Sequence, residues 1–219
     1  MMNLEHVLTY ALLNPAATLA EADSLCIQAI EKKAWSVCVP PLFVKRVKER
    51  LKDTAVKTTT VVGYPFGYSI IEAKLAETVM AIVDGADVIE ISANMNAVKN
   101  ADWQYLAKEI NTILPVIRSK SRNAAVVLET SLLDDKELTA CCDMYGAAGV
   151  DFIKTASGIL VENDTVETVR LMRNCLANQV KIKTVGAVED IEQLNLLLAA
   201  GADYISIDNG ISGKGGMPE

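Results

Sequence analysis

The sequence predicts a single-domain α/β protein folded as a TIM (β/α)8 barrel with parallel strands. Three observations lead there. Short runs rich in Val and Ile alternate with longer runs of helical periodicity, which is the pattern of βα units. One turn recurs three times, as Asp84-Gly85-Ala86-Asp87, Ala148-Gly149-Val150-Asp151 and Ala200-Gly201-Ala202-Asp203, each after a helical run and before a strand. No Gly-x-Gly-x-x-Gly turn follows the first strand, which counts against an open doubly wound sheet.

Strands are expected at Ser36–Val39, Thr58–Val62, Val88–Ser92, Ala124–Thr130, Asp151–Ala156, Val180–Val185 and Tyr204–Asp208, with Val7–Leu12 supplying the eighth. Helical periodicity is clearest over Ile71–Val83, Tyr105–Ile117, Asp135–Tyr145, Val166–Ala177 and Ile191–Ala199. In each recurring turn the glycine suits a left-handed helix cap, where a side chain would clash, and the next residues enter a strand. The 219 residues divide into eight units of about 27 residues, near the lower size limit of the barrel. No Ser- or Pro-rich linker interrupts the series, so residues 1–219 are read as one domain. Residues 210–219, with four glycines and Pro218, are expected to form a flexible tail.

Composition narrows the function classes. Hydrophobic residues make up 51% and charged residues 22%, enough for a sizeable core. Twenty-one Lys and Arg against 28 Asp and Glu give a net charge of −7, with no basic run to meet nucleic acid or an anionic membrane. The N-terminus lacks the basic region and long apolar run of a signal peptide. No apolar stretch reaches the roughly 18 residues of a membrane span. Five irregularly spaced cysteines suggest reduced thiols and a cytoplasmic setting, and none shows zinc spacing. Cys141 and Cys142 lie on a helical pattern and are expected to pack as small apolar residues. His6, the only histidine, is expected on the surface, which disfavours His-based catalytic triads. Trp35 is expected in the core or at an interface.

Charges inside the strands carry the chemistry. The third residue beyond each repeat aspartate is polar, namely Glu90, Lys154 and Ser206, and Lys183 lies on the strand between the last two. An unpaired charge in an apolar strand is costly. Glu90 neutralising one lysine as a structural ion pair is one reading. The surplus lysine supports another: a buried lysine beside a second cation loses its proton more easily and becomes a nucleophilic amine. Lys154 as nucleophile, Lys183 as modulator of its pKa and Glu90 as proton shuttle then make a Schiff-base aldolase constellation. A non-catalytic barrel that keeps the fold as a binding or regulatory module remains the alternative.

The words around these residues resemble the deoxyribose-phosphate aldolase family. Asp151-Phe152-Ile153-Lys154-Thr155-Ala156-Ser157-Gly158 is similar to that family's D-F-I/V-K-T-S-T-G, whose lysine forms the Schiff base. Lys183-Thr184-Val185-Gly186-Ala187-Val188 resembles K-A-A-G-G-I, and Gly85-Ala86-Asp87-Val88-Ile89-Glu90 resembles G-A-D-E-I-D. Val37-Cys38-Val39, Gly63-Tyr64-Pro65-Phe66-Gly67, Glu72-Ala73-Lys74 and Leu128-Glu129-Thr130 extend the match across most of the chain. The resemblance implies a TIM barrel that cleaves 2-deoxyribose 5-phosphate to acetaldehyde and glyceraldehyde 3-phosphate, with no metal or organic cofactor. The partner it implies is a small aldehyde or sugar phosphate, and a homodimer is compatible with it.

The departures concentrate in the site. The family's relay aspartate is Glu90 here, one methylene longer. The opening D-H-T-L-L-K-P reads Thr9-Tyr10-Ala11-Leu12-Leu13-Asn14-Pro15, and the phosphate loop I-G-T-S-S-G reads Ile205-Ser206-Ile207-Asp208-Asn209-Gly210. The resemblance places the substrate phosphate against Gly158, Gly186, Ala187, Asp208, Asn209 and Gly210. A carboxylate at Asp208 would repel it by about 4 kcal/mol at close range in a medium of effective dielectric near 20.

Overall fold

The structure, a computed structural model, describes residues 4, 6–160, 165–186 and 191–208. Eight strands close into a parallel barrel in chain order: β1 (Leu8–Ala11), β2 (Ser36–Val39), β3 (Lys57–Val62), β4 (Val88–Ser92), β5 (Asn123–Val127), β6 (Phe152–Lys154), β7 (Lys181–Val185) and β8 (Tyr204–Asp208). Pairing of β1 with β8, Leu8 beside Ile205 through Ala11 beside Asp208, completes the cylinder. The helices are α1 (Leu19–Glu31), α2 (Val44–Arg50), α3 (Ile71–Val83), α4 (Met95–Lys99), α5 (Trp103–Ser119), α6 (Asp135–Ala148), α7 (Val166–Cys175) and α8 (Ile191–Ala200). None of them is long and apolar enough to cross a membrane. The expected tail, residues 210–219, lies outside the described residues.

The recurring turn does one mechanical job three times. Gly85, Gly149 and Gly201 have φ of 99°, 80° and 114°, a region that side chains disfavour. The aspartate two residues on then clips its strand to the preceding one. Asp87 receives the Thr58 amide on its carboxylate (3.0 Å) and donates its own amide to the Thr58 carbonyl (2.7 Å). Asp151 does the same with Ala124 (2.8 and 3.0 Å), and Asp203 with Ile182 (2.9 and 2.9 Å). Basic side chains complete each clip: Lys48 and Arg122 on Asp87, Arg118 on Asp151, Arg173 and Lys181 on Asp203. Each ion pair is partly exposed and worth little alone. The amide bonds fix where the strand starts, so Glu90, Lys154 and Ser206 fall at the same step of their strands.

Alternation then sorts the strand side chains. Val37, Val39, Ile89, Ile91, Val126, Ile153, Ile182 and Ile205 join the layer between sheet and helices, where Cys141 and Cys142 are also buried. Inside the barrel, Trp35, Val88, Ala125, Phe152 and Tyr204 pack together at the N-terminal end of the strands. Ala11, Cys38 and Val61, with Leu13 and Tyr64, pack at the C-terminal end. His6 is exposed, as expected.

Two strands end two or more residues before the sequence reading has them end. The strand expected at Ala124–Thr130 ends at Val127, and a 3-10 turn occupies Thr130–Leu132. The strand expected at Asp151–Ala156 spans only Phe152–Lys154. Beyond those ends a different set of bonds takes over. The Ser157 amide donates to the Glu129 carboxylate at 2.7 Å, and the Thr130 amide to the Thr155 carbonyl at 3.0 Å. The sequence reading does not single out α1, α2 or α4. For α1 a signal was present, because Thr18 and Glu21 form a capping box.

Candidate active site

Three strands bring three charged side chains to one point inside the barrel. Glu90 comes from β4, Lys154 from β6 and Lys183 from β7, with Lys154 and Lys183 in direct register. The Lys154 ammonium donates to Glu90 Oε2 at 2.9 Å, and the Lys183 ammonium donates to Glu90 Oε1. Each carboxylate oxygen therefore holds one lysine. All three side chains are buried, with relative exposures of 0–1%. Ala125, in register with Glu90 on β5, presents only a methyl group and leaves room for the longer side chain.

Electrostatics fix the resting protonation. Burial alone would push the Glu90 carboxyl up, but the two ammoniums outweigh it and hold the pKa at about 2. Burial would likewise push the Lys154 ammonium down, yet Glu90 outweighs it, with smaller contributions from Cys38 and Tyr64, and its pKa is raised. With Glu90 between the two lysines, the net direction for Lys154 in the resting protein is upward. The carboxylate stands between the two cations and compensates for their repulsion. Lys154 rests as an ammonium whose nearest proton acceptor is Glu90.

The surroundings divide into a floor, a wall and a rim. Below the charges the rings of Trp35, Phe152 and Tyr204 pack in tilted and edge-on contacts with centroids 4.3–5.7 Å apart. Behind β4, the buried Lys74 of α3 donates to the Ser92 carbonyl at 2.8 Å and to Glu109 of α5 at 2.7 Å. Its stem runs where a side chain at Gly63 would sit. Burial pushes the Lys74 ammonium down and the Glu109 carboxyl up, so this pair is held charged at a cost. At the rim, Glu129 is buried, accepts the Ser157 amide through Oε1 and, among the described residues, leaves Oε2 without a hydrogen-bond partner. Burial raises its pKa against the opposing pull of Ser157 and Lys154.

Of the expected site residues, the structure brings Glu90, Lys154 and Lys183 together. Gly158 lies just beyond β6, half-buried, with φ of 92° and open space beside its Cα. The Gly186 amide is committed to the Ser206 carbonyl at 3.0 Å, so it is not available as an anion donor. Asp208 ends β8 beside Ala11 in the backbone register. Its side chain, Ala187, Asn209 and Gly210 lie outside the described residues. Glu129 and Lys74 stand in motifs the sequence reading quotes without assigning them a role. Trp35 is half-buried among aromatic rings, in keeping with its expected place in the core.

Comparison with known proteins agrees with this geometry. The model of the DeoC/LacD family aldolase matches residues 8–205. The chain is 36% identical over 212 residues to the deoxyribose-phosphate aldolase of Caldanaerobacter subterraneus subsp. tengcongensis, covering 96% of this chain and 92% of that one. It is 37% identical over 211 residues to the deoxyribose-phosphate aldolase of Brevibacillus brevis, covering 96% and 95%. Among solved structures, an aldolase named QR15 superposes with a TM-score of 0.88 at 30% identity, covering 97% of this chain and 94% of that chain.

Proposed function

Because the chain belongs to the DeoC/LacD family of aldolases, we propose that it is a class I lyase that cleaves 2-deoxy-D-ribose 5-phosphate to acetaldehyde and D-glyceraldehyde 3-phosphate through an imine on Lys154. The single observation that carries the reading is the sharing of Glu90 by two buried lysines. The names of the curated relatives support the substrate.

The chemistry follows from the charges. Lys154 gives up its proton, and the free amine adds to the sugar aldehyde; loss of water leaves the imine. Removal of the proton from the C3 hydroxyl breaks the C2–C3 bond, releases glyceraldehyde 3-phosphate and leaves an enamine on Lys154. Protonation of that enamine at C2 and hydrolysis release acetaldehyde. Glu90 is suited to carry these protons because its own affinity changes during the cycle. Whenever Lys154 is neutral, as amine, carbinolamine or enamine, Glu90 faces one ammonium instead of two, and burial raises its pKa. Lys183 keeps the positive charge that stabilises the carboxylate when the proton moves on.

Phosphate recognition is the part of the reading this chain alters. Gly186 has spent its amide on Ser206, and Asp208 brings a carboxylate to the end of β8. Of the expected phosphate set, Gly158 is the described residue that stays beside open space. The reading therefore includes a weaker preference for the phosphorylated sugar than the resemblance implies. All five cysteines are thiols rather than disulfides, which supports a cytoplasmic setting.

The test is release of acetaldehyde from 2-deoxyribose 5-phosphate and from 2-deoxyribose. Turnover of the phosphorylated sugar with a modest lead over the free sugar agrees with the reading. No acetaldehyde from either overturns it.

A further inference from the structure

Two lysines share one carboxylate, and a Schiff-base enzyme needs one of them to lose its proton while the other stays charged. Each takes one oxygen of Glu90, so the number of bonds to the carboxylate does not distinguish them. Trp35 does. The Lys183 ammonium lies 4.9 Å from the centroid of the Trp35 ring, within the range in which an aromatic face attracts a cation. Lys183 thus has a carboxylate oxygen on one side and an indole face on the other. Lys154 lies instead near Cys38 and Tyr64, which belong to the group at the C-terminal end of the barrel and favour its ammonium.

We infer that Trp35 is the positioning residue that holds Lys183 as the permanent cation and so assigns the nucleophile's role to Lys154. The ring is itself held. It tilts against Tyr204 at 4.3 Å and against Phe152 at 5.4 Å, and its backbone bridges Leu8 and Lys57. Tyr204 is in register with Lys183, and Phe152 with Lys181. Phe152 is buried while Trp35 and Tyr204 are half-buried, and a cation over an aromatic face is attracted more strongly the more water is excluded. The other ionisable groups near Lys183 do not supply the asymmetry. Glu90 is shared, and Lys154 is the competitor. Tyr204 is kept neutral by burial, which raises its pKa. Lys181, two residues back, is paired with Asp203 at the strand entrance. Cys38 and Glu129 act on Lys154 and favour its ammonium, so they oppose the asymmetry that Trp35 supplies.

The inference rests on the functional reading above, and the experiment separates the two. Wild type, Trp35→Leu and Trp35→Phe are compared by the pH dependence of kcat and by the site of the adduct after borohydride reduction with acetaldehyde. In Trp35→Leu the alkaline limb of kcat should move down by about one pH unit, the size of a desolvated cation–π contact. A fraction of the adduct should then appear on Lys183. Trp35→Phe, which keeps a weaker aromatic face, should move the limb the same way by less, and it serves if the leucine variant does not fold. In a Trp103→Phe background, where Trp35 is the only indole, its emission should change across the pH range of that limb. An alkaline limb that stays in place with the adduct confined to Lys154 in every variant overturns the inference while leaving the functional reading intact. A loss of kcat equal at all pH values also overturns it, because that is what a merely structural floor would give. No adduct on either lysine in the wild type overturns both.

Discussion

Glu90 and Lys154 are 64 residues apart in sequence and meet at 2.9 Å inside the barrel, and the carboxylate that holds Lys154 also holds Lys183. One anion between two cations in a dry interior is poorly suited to structural use, since a single pair would satisfy the charges. It suits a cycle in which one of the cations is repeatedly discharged and the carboxylate changes its proton affinity in response.

Glu90→Gln removes the anion and leaves two buried ammoniums facing each other. Turnover should fall by about 10²- to 10⁴-fold, the range for loss of a proton carrier, while imine can still form on Lys154. The pH dependence of stability should change too. The folded pKa of Glu90 is about 2 against an ordinary carboxyl value of 4.5. A depressed carboxyl pKa contributes stability that is fully present above 4.5 and is lost as pH falls toward 2. In the wild type that loss is about 3 kcal/mol. Denaturant unfolding from pH 5 down to the acid limit of folding should show a shallower decline in the glutamine variant.

Lys183→Leu leaves Glu90 to Lys154 alone, as an undivided counter-ion. The Lys154 proton is then held more firmly, so the pH at which imine forms should rise, and kcat at neutral pH should fall by about 100-fold or more. Absorbance or borohydride trapping of the imine as a function of pH checks this. An unchanged profile and rate would make Lys183 structural.

Lys74 and Glu109 are a second buried pair, and Lys74, bonded to both the Ser92 carbonyl and Glu109, ties α3 and α5 to the end of β4. Lys74→Met strands the Glu109 carboxylate and should cost about 3–5 kcal/mol of stability, read from the denaturant midpoint. The double variant Lys74→Met/Glu109→Leu should recover most of that loss.

Much of this arrangement is legible in the sequence because the repeat is mechanical. Gly-x-Asp marks the start of a strand, and counting three residues from Asp87 and Asp151 lands on Glu90 and Lys154. The ends of β5 and β6 are not legible in the same way. Glu129 and Ser157 belong to different units, and only the fold shows that their bond draws the chain out of the ladder. The charge state of Lys154 is also hidden. Spacing reveals a second lysine nearby, but not that a carboxylate stands between them. Trp35 reads as an ordinary core aromatic, and its contact with Lys183 depends on barrel closure, which joins residues 148 positions apart. Gly186 looks like a phosphate donor until the sheet bond to Ser206 is seen.

Asp208 ends β8, where the resemblance expects a phosphate-binding hydroxyl. Asp208→Ser removes a carboxylate and should lower the KM for 2-deoxyribose 5-phosphate more than that for 2-deoxyribose. Equal changes for both sugars, or a loss confined to the phosphorylated one, would show that Asp208 does not oppose the phosphate.

The central claim is that Lys154 is the amine that bonds to substrate. Borohydride reduction in the presence of acetaldehyde, followed by peptide mass mapping, tests it most directly. The account predicts a reduced two-carbon adduct on Lys154 in the wild type and its loss in Lys154→Arg. An adduct found only on Lys183 or on another lysine, with Lys154 unmodified, would contradict it.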